Sequence, residues 1–147
     1  VLSTCNLPDF AAALMQRINQ HRAAGASCGA QGDFAPTGAL AWEARLTQAA
    51  DAHSQDMATR NYFSHTGAGG STVGDRVSAT GYTWQTVGEN IAAGHRAVDE
   101  VMNGWMRSDG HCANIMNPRF TEVGVACVPT NRTQYPTYWT MNLGRPR

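Results

Sequence analysis

Apolar residues first recur at helical spacing in residues 6–24, where Leu7, Phe10, Leu14 and Ile18 mark one face and Ala11 and Met15 lie beside it. Pro8 suits a first helical turn and Gly25 a stop. His21, near that end, suits the negative pole of the helix dipole as a cation and reads as structural. Residues 28–38 contain Gly29, Gly32, Pro36 and Gly38 and read as loop. A second period, through Trp42, Leu46, Ala49, Ala50, His53 and Met57, predicts a helix over residues 39–61. His53 falls on its apolar face, where a histidine is more often a buried hydrogen-bonding residue than a ligand. The glycine-rich residues 66–71 read as a mobile loop, without the lysine and preceding strand of a phosphate cradle. Thr72 and Asp75 have capping-box spacing, which predicts a short helix that Gly81 stops. Residues 86–92 read as extended and carry Glu89. Val98, Val101, Met102 and Trp105 predict a helix over residues 95–108, with His95 a surface residue at its start. Asp109-Gly110 breaks the chain before a short helical segment at His111. The period then becomes two: in residues 121–128, Val123, Val125 and Cys127 share one face, and Glu122, Gly124 and Ala126 the other. Residues 135–143 are rich in Tyr, Trp and Thr, which suit a strand, and the turn-rich residues 129–134 predict a hairpin.

Helices interleaved with a few late strands predict an α+β sandwich with a small antiparallel sheet. At 147 residues the chain reads as a single domain, 1–147, with one core and no repeat or linker. Residues of the hydrophobic class make up 42% and charged ones 15%, and no run approaches the ~20 apolar residues of a membrane helix. An integral membrane protein is therefore not expected. The formal net charge is zero, so no bulk field draws the chain to nucleic acid. All eleven basic residues are arginine, which removes lysine chemistry such as a Schiff base; their scatter reads as coding bias rather than an anion site.

Cys5, Cys28, Cys112 and Cys127 lack any C-x-x-C arrangement, which argues against a zinc ribbon or a thioredoxin-type site. Four cysteines allow three connectivities; the pairs expected are the sequential ones, Cys5–Cys28 and Cys112–Cys127. Disulfides imply an oxidising compartment. The start at Val1-Leu2-Ser3, without an initiator Met, fits a mature secreted protein whose signal peptide is gone. Asn131-Arg132-Thr133 is a formal glycosylation sequon of the kind that arises by chance.

Three segments read as parts of one polar cleft: Tyr62-Phe63-Ser64-His65, Val87-Gly88-Glu89-Asn90-Ile91, and Gly110-His111-Cys112-Ala113-Asn114-Ile115-Met116. With Leu40-Ala41-Trp42, the run from Ala52 to Ala58, Phe120-Thr121-Glu122-Val123-Gly124-Val125 and Tyr138-Trp139, they resemble, in order and over nearly the whole chain, the CAP superfamily. This is the SCP domain of cysteine-rich secretory proteins, antigen 5 and pathogenesis-related 1 proteins, and the likeness is greatest to its bacterial branch. The resemblance implies a three-layer α-β-α sandwich around a central antiparallel sheet, secretion to an extracellular or periplasmic space, and a central cavity with two histidines and two glutamates. By motif these are His65, Glu89 and His111. Eukaryotic members place the fourth shortly after a tryptophan, where this chain has Ser108; bacterial-type members have a glutamate where Glu122 stands.

Such a set can hold zinc or another divalent cation, with a bound water activated as nucleophile. Glu89 and His111 are the first catalytic candidates, as general base and acid of a hydrolase, peptidase-like or cell-wall-directed. Ser64 and Ser108 are nearby polar candidates for a nucleophile, although no nucleophile-elbow motif is present. The non-enzymatic reading, which the balance favours, is a module that binds an extracellular small molecule, a lipid such as a sterol or fatty acid, or a protein partner. Tyr82, Trp84, Tyr135, Tyr138 and Trp139 are candidates to line an apolar groove, with core packing the simpler expectation.

Overall fold

A computed structural model of the chain describes residues 3–147. The start of the chain at Val1 and Leu2 lies outside the described residues. Five α-helices and six strands follow in order: α1 (Phe10–Ala24), β1 (Ala26–Ser27), β2 (Asp33–Phe34), β3 (Ala41–Trp42), α2 (Ala44–Arg60), α3 (Val73–Ala79), β4 (Trp84–Ala93), α4 (Val98–Arg107), α5 (Asp109–Met116), β5 (Glu122–Pro129) and β6 (Thr137–Pro146). The main sheet has the order β3-β5-β6-β4. β5, β6 and β4 are antiparallel, as expected, but β3 pairs with β5 in parallel.

β3 occupies residues assigned above to the start of the second helix. The backbone N–H groups of Ala41 and Glu43 donate to the carbonyls of Thr121 and Val123 at 3.0 and 2.9 Å, which holds this stretch extended. The helix then starts at Ala44, where the Glu43 carboxylate caps the Arg45 N–H. The first helix also starts late, because Cys5, Asn6 and Asp9 adopt positive φ. The expected capping box at α3 is present, with Thr72 and Asp75 bonded reciprocally.

The sheet lies between two helical layers. On one side Phe10, Leu14 and Ile18 of α1, Val101, Met102 and Trp105 of α4, and Ile115 of α5 pack on Val123, Val125, Trp139, Met141 and Leu143. On the other side α2 and α3 cover the alternate residues, with Met57 and Ala58 on Ile91, Val128 and Tyr138, and Leu46 and Ala49 near Val77 and Tyr82. This second layer is more polar and more tightly apposed. Ser54 and Thr140 share a hydrogen bond at 2.7 Å, and Asn142 Nδ2 donates to the Leu46 carbonyl. A Cβ on Gly124 would lie 2.2 Å from Thr47 N, so only glycine lets α2 approach β5 this closely.

The disulfides are Cys5–Cys127 and Cys28–Cys112, not the sequential pairs expected. Cys5 is brought to the sheet by a bridge of its neighbour Thr4 to Cys127, and Cys28 meets the buried face of α5 beside Met116. His21 also departs from expectation: burial, aided by Arg17, lowers its pKa and disfavours the cation expected at the helix end.

Candidate functional site

Glu89 sits in the middle of β4 with its side chain on the α2 face and only 2% exposed. Both carboxylate oxygens are engaged. His65 Nδ1 donates to Oε1 at 2.9 Å, and Arg76 Nη2 donates to Oε2 at 2.7 Å. The first bond places the His65 proton on Nδ1 and leaves Nε2 without a partner on Glu89. Arg76 ties the loop down as well, donating to the His65 carbonyl at 2.9 Å and to the carbonyl and hydroxyl of Ser71 at 3.0 and 3.1 Å. Residues 65–71 are thus held against β4 by one arginine rather than left as a free loop. Asp56 anchors them from below, accepting from Tyr62 Oη and from Ala68 N. Burial, then the Asp56 carboxylate, push the Tyr62 phenol up to about 12, so it remains a donor.

His111 reaches the same region from α5. Two asparagines from the motifs bearing Glu89 and His111 lace α5 to β4. Asn90 Nδ2 donates to the His111 carbonyl, and Asn114 Nδ2 donates to the carbonyl of Glu89 and to Asn90 Oδ1. His111 is half-buried; burial, and secondarily the charge of His65, lower its pKa and favour the neutral imidazole. It also lines a groove of about 290 Å³ walled by Phe63, Tyr135, Trp105, His95, Ser108 and residues 91–93 of β4. His95 is therefore part of a cleft wall, not merely the surface residue expected. Ser108 caps α5 without a side-chain bond to its backbone. Ser64 accepts from Thr66 N through its hydroxyl, and its carbonyl accepts from His53 Nε2. His53 is buried, as expected, and its Nδ1 has no partner among the described residues.

Glu122 is not brought to this cluster. It pairs with Gly144, whereas Glu89 pairs with Asn142, so the two glutamates are separated by β6 and lie roughly 12 Å apart by strand spacing. Its carboxylate accepts from Tyr82 Oη at 2.6 Å, near Arg45. Burial first, and then this bond, raise the Tyr82 pKa. Of the aromatic residues considered for an apolar groove, Tyr82, Tyr138 and Trp139 are packed in the core and Tyr135 lines the groove. Trp84 lies with Tyr82 and Arg147 at a separate surface depression of about 310 Å³.

Among the described residues no three His, Cys, Asp or Glu side chains come together as a metal-holding group. The donor set gives the chemical reason. A divalent ion on Glu89 would have to displace a charge-assisted hydrogen bond and then face the Arg76 guanidinium at short range. As they stand, these residues form a hydrogen-bonded His–Glu–Arg array with a neutral imidazole beside it, able to present donors and acceptors or to move a proton.

Arg76 is the site residue that sequence reasoning missed. Its signal was its place directly after the capping box, at the end of a glycine-rich loop. The roles of Asn90 and Asn114 were missed too, although both lie inside motifs quoted for the glutamate and the histidine.

A family model described as "Cysteine-rich secretory protein family" (CAP) matches residues 15–143. The uncharacterized protein YkwD of Bacillus subtilis is 43% identical over 98 residues, covering 67% of this chain and 36% of that protein. A crystal structure of an extracellular protein containing an SCP domain, from Bacillus anthracis, superposes with a TM-score of 0.66 at 37% identity, covering 74% of this chain and 34% of that one. An outer surface protein of Borrelia burgdorferi has the same fold, with a TM-score of 0.69 at 18% identity over 76% of this chain and 80% of that one. The chain thus spans only about a third of the length of YkwD and of the Bacillus anthracis protein.

Proposed function

Because this chain belongs to the cysteine-rich secretory protein (CAP) family, we propose that it is an extracellular ligand-binding domain whose cleft recognises a polar group by hydrogen bonding rather than through a metal. The observation that carries this reading is Arg76, which occupies the second oxygen of Glu89 while His65 occupies the first. His65 Nε2 and the neutral imidazole of His111 then supply the donor or acceptor positions for the ligand. The extracellular and outer-surface descriptions of two structural relatives support a location outside the cell. So do two disulfides, which persist in oxidising compartments.

Two titrations test it. Isothermal calorimetry with zinc chloride is expected to show no saturable binding to the native protein, and binding to appear in Arg76→Met. Stoichiometric zinc binding by the native protein, lost in His65→Ala, would replace this reading with a metal site. Side-chain NMR of the histidines during a screen of small polar compounds and of sterol-containing vesicles is expected to shift His65 and His111 with polar ligands only. Shifts produced by the vesicles alone would favour a lipid carrier.

The lowered pKa of His111 favours one second reading, a hydrolase in which this imidazole takes a proton from water and the His65–Glu89 pair steadies the developing charge. Turnover of a general peptidase or cell-wall substrate that vanishes in both His111→Ala and Glu89→Gln would establish it. Activity unaltered by both substitutions would exclude this cleft as its source.

A further inference from the structure

Among the described residues β4 is an end strand of the main sheet, with β6 on one side and no strand on the other. Its outward groups can be identified. The carbonyls of Glu89 and Ile91 accept from side chains, Asn114 Nδ2 at 3.3 Å and Trp105 Nε1 at 3.1 Å, so they face away from β6. The N–H of Gly94 donates to the Thr137 carbonyl and so faces β6. By strand alternation, the N–H groups of Glu89 and Ile91, and both backbone groups of Ala93, lie on the free edge. Two of the outward carbonyls are thus satisfied by side chains, while the outward N–H groups of Ile91 and Ala93 and the Ala93 carbonyl lie where the groove opens.

We propose that this edge takes up an extended peptide segment, which adds to the sheet beside β4 and lies in the groove next to His111. Three observations commit the site to a peptide. Outward backbone donors and an acceptor on one strand edge match the alternating groups of an extended chain, which a lipid or a metal does not present. The groove is continuous with the cleft described above, because His111 belongs to both. Its far wall carries Phe63, 47% exposed and tilted against Tyr135 with ring centroids 6.3 Å apart, an apolar seat for one side chain of the bound segment. Strand edges left open in this way are hazards for self-association unless covered or blunted. Here His111 of α5, Phe63 and Tyr135 flank the groove along this edge. The inference rests on the reading of the cleft as a ligand site and adds the ligand's class.

The test uses the full chain and a panel of N-acetylated, C-amidated hexapeptides with varied side chains. A member that binds is expected to slow exchange of the Ile91 and Ala93 amides at least tenfold and to shift the His111 ring resonances. N-methylation of that peptide one residue at a time should weaken binding tenfold or more at every second position only. Ala93→Pro removes an outward N–H without touching the pairing to β6, and should weaken binding to the same degree with the circular dichroism spectrum unchanged. A peptide that shifts His111 but shows a flat N-methyl profile and no protection at Ile91 and Ala93 overturns strand addition and leaves the ligand cleft standing. Failure of every peptide overturns the inference, while the small-molecule screen decides the cleft separately.

Discussion

Arg22 is 1% exposed and, among the described residues, has no carboxylate partner. Its guanidinium donates instead to four carbonyls, those of Gly38, Ile115, Asn117 and Phe120, at 2.6 to 3.1 Å. Two of these belong to the end of α5, so the cation also meets the negative pole of that helix. Arg22→Met keeps much of the packing but leaves buried acceptors unpaired; a loss of about 3 kcal/mol is expected, read from the urea midpoint at constant m-value. Gly124→Ala tests the opposite failure, overpacking. Its Cβ meets backbone at Thr47, which cannot swing aside, so a cost of about 1–3 kcal/mol is expected in the same measurement. At the site, Arg76→Met should free residues 65–71 from β4, raising amide exchange there while the core amides stay protected. Neither arginine stands out in a sequence where all eleven basic residues are arginine. What distinguishes them is burial, which a scattered pattern does not report.

At the scale of elements, α5 depends on its surroundings. It has eight residues, too few to be stable alone, and is held by Arg22, by Asn90 and Asn114, and by Cys28–Cys112. The observed disulfides link cysteines 84 and 122 residues apart. Loop-closure entropy assigns such long loops about 4–5 kcal/mol each, against about 3 kcal/mol for the short loops expected from sequential pairing. Peptide mapping under non-reducing conditions should recover Cys5–Cys127 and Cys28–Cys112 links. The Cys28→Ser, Cys112→Ser double variant should lower the melting temperature and broaden the His111 resonances more than those of His65. Equal broadening at both would show that the bond steadies the whole layer instead of α5. The pairing escaped sequence reasoning for a plain reason: proximity along the chain says little about proximity across a three-layer fold.

For the whole molecule, the histidines set a pH dependence. Burial is the first cause that lowers the pKa of His53, His111 and His21 below the usual 6.5. The unfolded chain therefore takes up protons near pH 6.5 that the folded chain resists, so stability is full above that value and falls as pH drops through it. Asp56, Glu43 and Asp75 have lowered pKa values with ordinary values of 3.8 to 4.5, and add a second loss at more acid pH. The melting temperature is expected to fall from pH 7 to pH 5, and more gently in His53→Gln if that variant folds. A rise over this interval would contradict the burial of these rings.

Hydrophobic periodicity located α2, α4 and β5, the Tyr-, Trp- and Thr-rich composition of residues 135–143 located β6, and the Thr72–Asp75 spacing located the start of α3, because these features rest on neighbours within a few residues. The motifs named His65, Glu89 and His111; in the folded chain His65 bonds Glu89, and the His111 carbonyl accepts from Asn90 on the same strand. The short parallel strand β3, the disulfide partners, the departure of Glu122 to Tyr82 and the arrival of Arg76 at Glu89 were decided only by the folded chain. Each depends on which distant segments share a sheet face or an edge, and that is settled when the layers pack. A glutamate two strands away can share a face with Glu89 and still lie beyond its reach, whereas an arginine on the next helix can lie within 2.7 Å of it.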